Sequence, residues 1–152
     1  MSTKYGVRPC AIVIHENKVL IIRVDYGNGE FYLFPGGGLE SFETMSECAV
    51  RETLEETGYS IEVKKLVYVN EYINAENGND RSISPFFLAK LKDTKQVCKP
   101  INDNGKIKEI LWVDLSKIKE FDLRPKSIRD SLQEDFKTNF VNAKVYSVDF
   151  KK

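Results

Sequence analysis

The sequence predicts an α/β fold in which a mixed β-sheet is sandwiched between helices. Three observations predict it. Short β-branched and aromatic runs precede a central helix, more such runs follow it, and an amphipathic helix comes late in the chain. Val7 to Ile14 and Val19 to Val24 are apolar runs around His15-Glu16-Asn17-Lys18, which reads as a hairpin turn. Phe31 to Phe34 is a short aromatic strand feeding Pro35-Gly36-Gly37-Gly38. A helix follows from about Thr44 to Thr57, with Met45, Ala49 and Thr53 spaced four apart as its inward face and Gly58 as its C-cap. Ile61 to Tyr72 and Ser82 to Leu91 are strands separated by the polar, turn-rich Asn74 to Asp80, and Ile107 to Val113 is another. Pro125 suits a helix start, and Ile128, Leu132 and Phe136 fall on one side of that helix.

Length and composition bound the rest. The 152 residues fit one domain with a sizeable core, and no linker, repeat or low-complexity block divides them. Lysine plus arginine equals aspartate plus glutamate at 23 each, which argues against nucleic acid and acidic membranes as partners. Lys64-Lys65 and the lysines from Lys90 to Lys99 read as solvated faces. Cys10, Cys48 and Cys98 are odd in number and far apart, so they suggest neither a disulfide framework nor a zinc site. No signal peptide and no bilayer-length apolar run is present, which makes the cytoplasm the expected compartment. Nothing in the sequence decides between a monomer and a homodimer.

The chemistry concentrates between Gly37 and Tyr59. Residues three and four apart on a helix share a face, so Glu52, Glu55 and Glu56 point the same way within one turn, with Glu43 at the helix entrance. At a solvated surface such crowding costs only a few tenths of a kcal/mol. In a partly dry cleft, two like charges about 4 Å apart repel by roughly 4 kcal/mol at an effective dielectric of 20. A bound divalent cation gives a reason to gather them. The preceding glycines let backbone approach a ligand closely, and a helix start presents free N–H groups suited to phosphate oxygens. Loop and acids together describe a site for phosphate-ester or anhydride chemistry. His15, the one histidine, lies in the expected hairpin turn, where no Ser-His-Asp or Cys-His arrangement is visible.

This stretch resembles the signature of the Nudix (MutT-like) hydrolases, Gly-x5-Glu-x7-Arg-Glu-U-x-Glu-Glu-x-Gly-U, where U is aliphatic. Gly37, Glu43, Arg51, Glu52, Glu55, Glu56 and Gly58 all match. With each residue type at roughly 7% of an average protein, seven such identities arise at a given start with a chance of order 10⁻⁸. Thr53 and Tyr59 stand at aliphatic positions, and Phe42 stands where members often have glycine. The resemblance implies a Nudix-type α/β/α sandwich with a mixed sheet over residues 1–152. It also implies a Mg²⁺-dependent pyrophosphohydrolase, with Mn²⁺ as the alternative ion, acting on a small nucleotide: a nucleoside triphosphate, an oxidised nucleotide or a nucleotide sugar.

By the same resemblance Glu52, Glu55, Glu56 and the backbone of Gly37 are metal-binding candidates, with Glu52 either a ligand or the base. Asp103 and Glu109 are the candidates for a base in a later loop. Glu43 is either a second-metal ligand or a buttress, Arg51 a structural partner of Glu47 or Glu55, and Gly58 a structural helix stop. Gly37, Gly38, Arg23 and Arg81 are candidate phosphate contacts. Tyr32 and Phe34, with Phe86 and Phe87, are candidate stacking rings. Proline typical of ADP-ribose-cleaving members is replaced by Ala75, and the tyrosine of dinucleoside-polyphosphate members is absent around Asn77. Two other readings stay open: a catalytically silent nucleotide-binding module, and a 5′-end RNA pyrophosphohydrolase, which the balanced charge disfavours.

Overall fold

The computed structural model describes residues 4–74, 80–98 and 105–151. Its strands are β1 (Lys4–Val7), β2 (Cys10–His15), β3 (Lys18–Asp25), β4 (Glu30–Leu33), β5 (Ile61–Asn74), β6 (Asp80–Leu91), β7 (Ile107–Asp114), β8 (Leu123–Arg124) and β9 (Tyr146–Lys151). Helix α1 spans Met45–Thr57 and α2 spans Lys126–Lys137, with a 3-10 turn at Leu115–Glu120. The main path through the sheet runs β8-β4-β3-β2-β6-β5-β9, with β1 added to β6 and β7 to β3. Parallel pairs (β1 and β2 on β6, β8 on β4, β9 on β5) mix with antiparallel ones, as the sequence led us to expect.

Strand alternation builds a core on each face of the sheet. Ala11, Val13 and Leu20 pack with Ala49 of α1 and with Tyr59, while Ile12, Val19 and Ile21 pack with Ile128 and Leu132 of α2. A one-residue slip would exchange the two sets, so both apolar faces fix the register. The β2–β3 hairpin turns through Glu16 and Asn17, both at positive φ (48° and 63°), the conformation of a two-residue turn that follows strand twist.

Helix α1 begins with a capping box. Glu47 N–H donates to the Thr44 hydroxyl at 3.1 Å, and Thr44 N–H donates to the Glu47 carboxylate at 3.3 Å. It ends at Gly58, left-handed at φ 79°, whose N–H donates to the Leu54 carbonyl at 2.8 Å. Thr53 and Thr57 are buried without penalty because each hydroxyl donates to the carbonyl four residues back, at 2.7 and 2.6 Å.

The structure corrects several sequence expectations. The run from Val7 to Ile14 is interrupted at Arg8-Pro9, where Pro9 lacks an N–H, yet both pieces keep one register on β6 (Val7 opposite Ile83, Cys10 opposite Phe86). Met45 is exposed, because the inward face of α1 turns through Cys48, Ala49, Thr53 and Thr57 instead. Strands β8 and β9 lie outside the expected elements, one being two residues long and the other a short run at the sheet edge. No helix among the described residues is long and apolar enough to cross a membrane.

The left-handed backbone at Gly58 makes a clean stability test. Gly58→Ala should destabilise the protein by about 1–2 kcal/mol, measured by urea unfolding, because a Cβ is penalised there.

Candidate functional site

The glycine segment reaches the sheet because it zips onto the β1–β2 break. Ala11 N–H donates to the Pro35 carbonyl at 2.9 Å, Gly37 N–H to the Pro9 carbonyl at 3.2 Å, and Leu39 N–H to the Val7 carbonyl at 3.1 Å. Gly36 makes an isolated bridge to Cys10, and a Cβ there would lie 2.5 Å from both the Cys10 Sγ and the Pro9 oxygen. At Gly37 the obstacle is the acid itself. A Cβ would sit 2.4 Å from the Glu52 carboxyl carbon, and 2.5 and 2.6 Å from its oxygens. Two successive glycines are thus needed for one purpose, to lay the loop against β2 on one side and against α1 on the other. Gly38 is different: a Cβ there would meet nothing within 4 Å, and its carbonyl accepts from Arg51 at 3.1 Å.

Arg51 organises the acids. Its guanidinium grips Glu43 through Nε and Nη2 at 3.0 and 2.8 Å, and Nη1 reaches Glu52 at 2.9 Å and Glu55 at 3.3 Å. Glu40 completes the set at 3.6 Å. Glu47 takes no part, contrary to one sequence expectation, because the capping box uses it. The Arg51 fork, joined by the N–H of Glu40, holds the Glu43 carboxyl down at about 2. Arg51 itself is pushed up by Glu43 and Glu52.

Glu56 stands outside this arrangement. Burial raises its carboxyl to about 8; the N–H of Gly36, donating at 2.8 Å, and the charge of Arg8 pull it down, while Glu52 and Glu55 push it up. It lines a cleft of about 1220 Å³ together with Gly36, Arg8, Phe34 and Arg81.

The sequence candidates divide by strand parity. On β3, Ile22 lines the cleft and Arg23 does not, and on β4 Phe31 and Leu33 line it while Tyr32 does not. Arg23 instead binds Glu30 at 2.7 Å and Glu109, its cross-strand neighbour on β7, at 3.2 Å. A proposed phosphate contact and a proposed base are thus partners, and neither lines the cleft, although Glu30, which Arg23 also binds, does. Tyr32 packs edge-on against Phe121, 5.1 Å between centroids, on the α2 side of the core. Phe34 and Phe86 do line the cleft but are buried against each other at 5.6 Å, so they form its floor. Phe87 belongs to the opposite core. Arg81 lines the cleft, bound to Glu71 and lying 4.9 Å over the Tyr5 ring. His15 packs near Trp112, with 6.3 Å between ring centroids. Asp103, Ala75 and Asn77 lie outside the described residues.

Phe42 is fully exposed at φ 68° and does not cover the cleft; its left-handed backbone accounts for glycine being frequent there. Tyr59 and Thr53, the two unusual motif residues, are packing positions, and Tyr59 accepts a hydrogen bond from the Trp112 indole at 3.2 Å. Sequence reasoning missed Arg8, Phe31, Asn70, Arg124 and Asp149 as cleft residues. The period-two alternation of β4 could have found Phe31; nothing local marks the others.

The donor set fits a hard divalent cation. Glu52, Glu55, Glu56 and the Gly37 carbonyl offer only oxygen, the last already accepting from the Cys48 thiol at 3.6 Å, and Glu56 is a part-buried carboxyl whose ionisation desolvation penalises. Among the described residues no three aspartate, glutamate, cysteine or histidine side chains already converge on one point, and Arg51 occupies oxygens of Glu52 and Glu55. A thiolate nucleophile is disfavoured, since burial pushes both Cys10 and Cys48 up to about 12.

Two measurements follow from this geometry. Gly37→Ala should lower turnover by on the order of a hundredfold with the fold retained by circular dichroism, because the added Cβ must displace the Glu52 carboxylate. The Glu43 carboxyl, held at about 2 against an ordinary 4.5, adds stability that is complete above pH 4.5 and lost as pH falls through 2. In urea titrations the wild type should therefore exceed Glu43→Gln in stability near neutrality, and the gap should close toward pH 2.

Comparison with known proteins agrees with this architecture. The profile of the family described as NUDIX domain matches residues 4–133. Phosphatase NudJ of Shigella boydii is 28% identical over 127 residues, which are 81% of this chain and 78% of that protein. A NUDIX hydrolase from Nitrosomonas europaea superposes with a TM-score of 0.73 at 22% identity, over 90% of each chain. An ADP-ribose pyrophosphatase from Streptococcus suis superposes at 0.65 and 18% identity, over 96% of this chain and 98% of its own. Both structures share the fold. With a matched acid-bearing helix, glycine loop and sheet spanning most of its length, this chain belongs to the NUDIX domain family of hydrolases.

Proposed function

We propose that the protein is a Mg²⁺-dependent pyrophosphohydrolase that cleaves a diphosphate linkage in a small nucleotide, with Mn²⁺ able to replace Mg²⁺. The observation that carries this reading is Glu56, a part-buried, cleft-lining carboxyl that accepts from the Gly36 N–H and lies near two further carboxylates. The relative named as a phosphatase supports hydrolysis at phosphorus.

Glu52, Glu55, Glu56 and the Gly37 carbonyl would hold the ion. Bound there, it would neutralise diphosphate oxygens and lower the pKa of the attacking water. The chain's own residues supply the rest. Arg51 fixes the rotamers of Glu52 and Glu55, and Glu43 fixes Arg51, so neither acid must be ordered when substrate arrives. Arg8, at the cleft near Glu56, is placed to meet a phosphate oxygen. Phe34 and Phe86 floor the cleft and limit water beneath the reacting group. Glu52 stays the candidate either for a ligand or for the group that accepts the water's proton. Glu109 is less suited to that role, since it is held by Arg23 away from the cleft lining.

Replacing Glu55 or Glu56 with glutamine removes charge and keeps shape. Each variant should lose on the order of a hundredfold or more in kcat with Mg²⁺, since even outer-shell changes at metal sites cost 10–100-fold. Wild-type turnover in either variant across nucleoside triphosphates and nucleotide sugars would overturn the assignment. Mg²⁺ binding also has a proton signature. With Glu56 at about 8, the metal-free protein is largely protonated there at pH 7, so binding should release close to one proton, fading as pH rises past 8. Calorimetry in buffers of different ionisation enthalpy reads this number, and Glu56→Gln should abolish it.

A further inference from the structure

Arg8 differs from the other arginines in its partners. Arg23, Arg51, Arg81, Arg124 and Arg129 are each paired with a carboxylate. Arg8 forms no ion pair within 4.0 Å among the described residues, although it lines the cleft with Glu56 and its charge acts on that carboxyl. Its backbone is fixed, since its N–H donates to the Ile83 carbonyl at 2.9 Å and the buried Pro9 follows. A cation held at a cleft without a carboxylate of its own leaves its donors to an anionic ligand.

Tyr26 comes to the same place by strand parity. It lies two residues beyond Val24 and four beyond Ile22, on the face from which Ile22 lines the cleft. The chain turns just after it, where the Gly27 N–H donates to the Asp25 carboxylate at 2.7 Å and Gly27 takes a φ of 100°. The Tyr26 ring is held on the cleft wall, 5.8 Å from Phe31 between centroids, with the Lys106 ammonium 5.6 Å from its own. Phenylalanine would make the same ring contacts, so the hydroxyl needs a separate reason. Burial raises the phenol, the charge of Arg8 lowers it and Glu56 raises it, so the hydroxyl lies near both side chains and stays protonated as a donor.

We propose that Tyr26 and Arg8 form a two-donor clamp on one phosphate group of the substrate, with the phenol accepting from the guanidinium and donating to a phosphate oxygen. Arg8 supplies charge and Tyr26 supplies direction, because a ring packed on the cleft wall aims its hydroxyl at one place. The clamp is separate from the Arg51 fork, whose donors are taken by Glu43, Glu52 and Glu55. Phosphate recognition and the positioning of the acids thus fall to different arginines. The proposal rests on the hydrolase reading above, which brings the phosphates to Glu56.

Binding tests the clamp without turnover. The full chain is titrated in Mg²⁺ with two non-hydrolysable probes, methylenediphosphonate and a methylene-bridged nucleoside triphosphate. Tyr26→Phe keeps the ring and should weaken both probes by about tenfold, the scale of one hydrogen bond to a charged group. Because the two side chains act as a unit, the same change made in an Arg8→Met background should cost less than about threefold. Unchanged affinity for both probes in Tyr26→Phe, or an equal loss in the two backgrounds, would rule the clamp out. So would a loss confined to the nucleoside-bearing probe, or no binding of methylenediphosphonate by the wild type at millimolar concentration. Cleavage of nucleoside triphosphates and nucleotide sugars is followed in parallel. Its absence with both Mg²⁺ and Mn²⁺ would count against the hydrolase reading alone, while the titrations still decide the clamp.

Discussion

A single guanidinium holds this site together. Arg51 binds Glu43, Glu52, Glu55 and the Gly38 carbonyl at once, so it ties the loop to the helix and spaces three carboxylates that would otherwise repel. Without it those acids would have to turn outward into water. The acids on α1 could then no longer pack against Gly37, whose lack of a Cβ is what admits the Glu52 carboxylate. Glu56 is left out of the Arg51 fork and is held instead by the Gly36 N–H and the charge of Arg8, which offset its desolvation only in part.

The supports of this arrangement are ordinary ones. The capping box at Thr44 and Glu47 and the left-handed Gly58 fix where α1 begins and ends, and hence which of its residues face the loop. Ala49 and Thr53 dock the helix on the sheet, with the Thr53 hydroxyl satisfied inside the helix. The break at Arg8-Pro9 leaves carbonyls that the glycine loop uses, joining it to β1 and β2. Stability elements and site elements are therefore the same residues or their immediate neighbours. Changes there act on position as much as on folding.

Cleft composition is settled by strand parity and sheet order. Ile22 and Arg23 are adjacent in sequence and face opposite ways, as do Phe31 and Tyr32. Asn70 and Asp149 meet because β9 returns from the far end of the chain to pair in parallel with β5. Residues so distant in sequence carry no local pattern that would announce their meeting.

The sequence by itself determined the fold class, the central helix with its cap and stop, and the grouping of the acids on one helix face, because each is written in spacing along a few consecutive turns. It also supplied Gly37 and Arg51 as motif positions. Only the tertiary structure decided that Arg51 serves Glu43 and Glu52 rather than Glu47, that Arg23 and Glu109 neutralise each other, and that Arg8, Phe31, Arg124, Asn70 and Asp149 share one cleft. The physical reason is range. Helix faces follow from neighbours three and four apart, whereas a cleft between sheet halves follows from which strands pair, in what register, and across what length of chain.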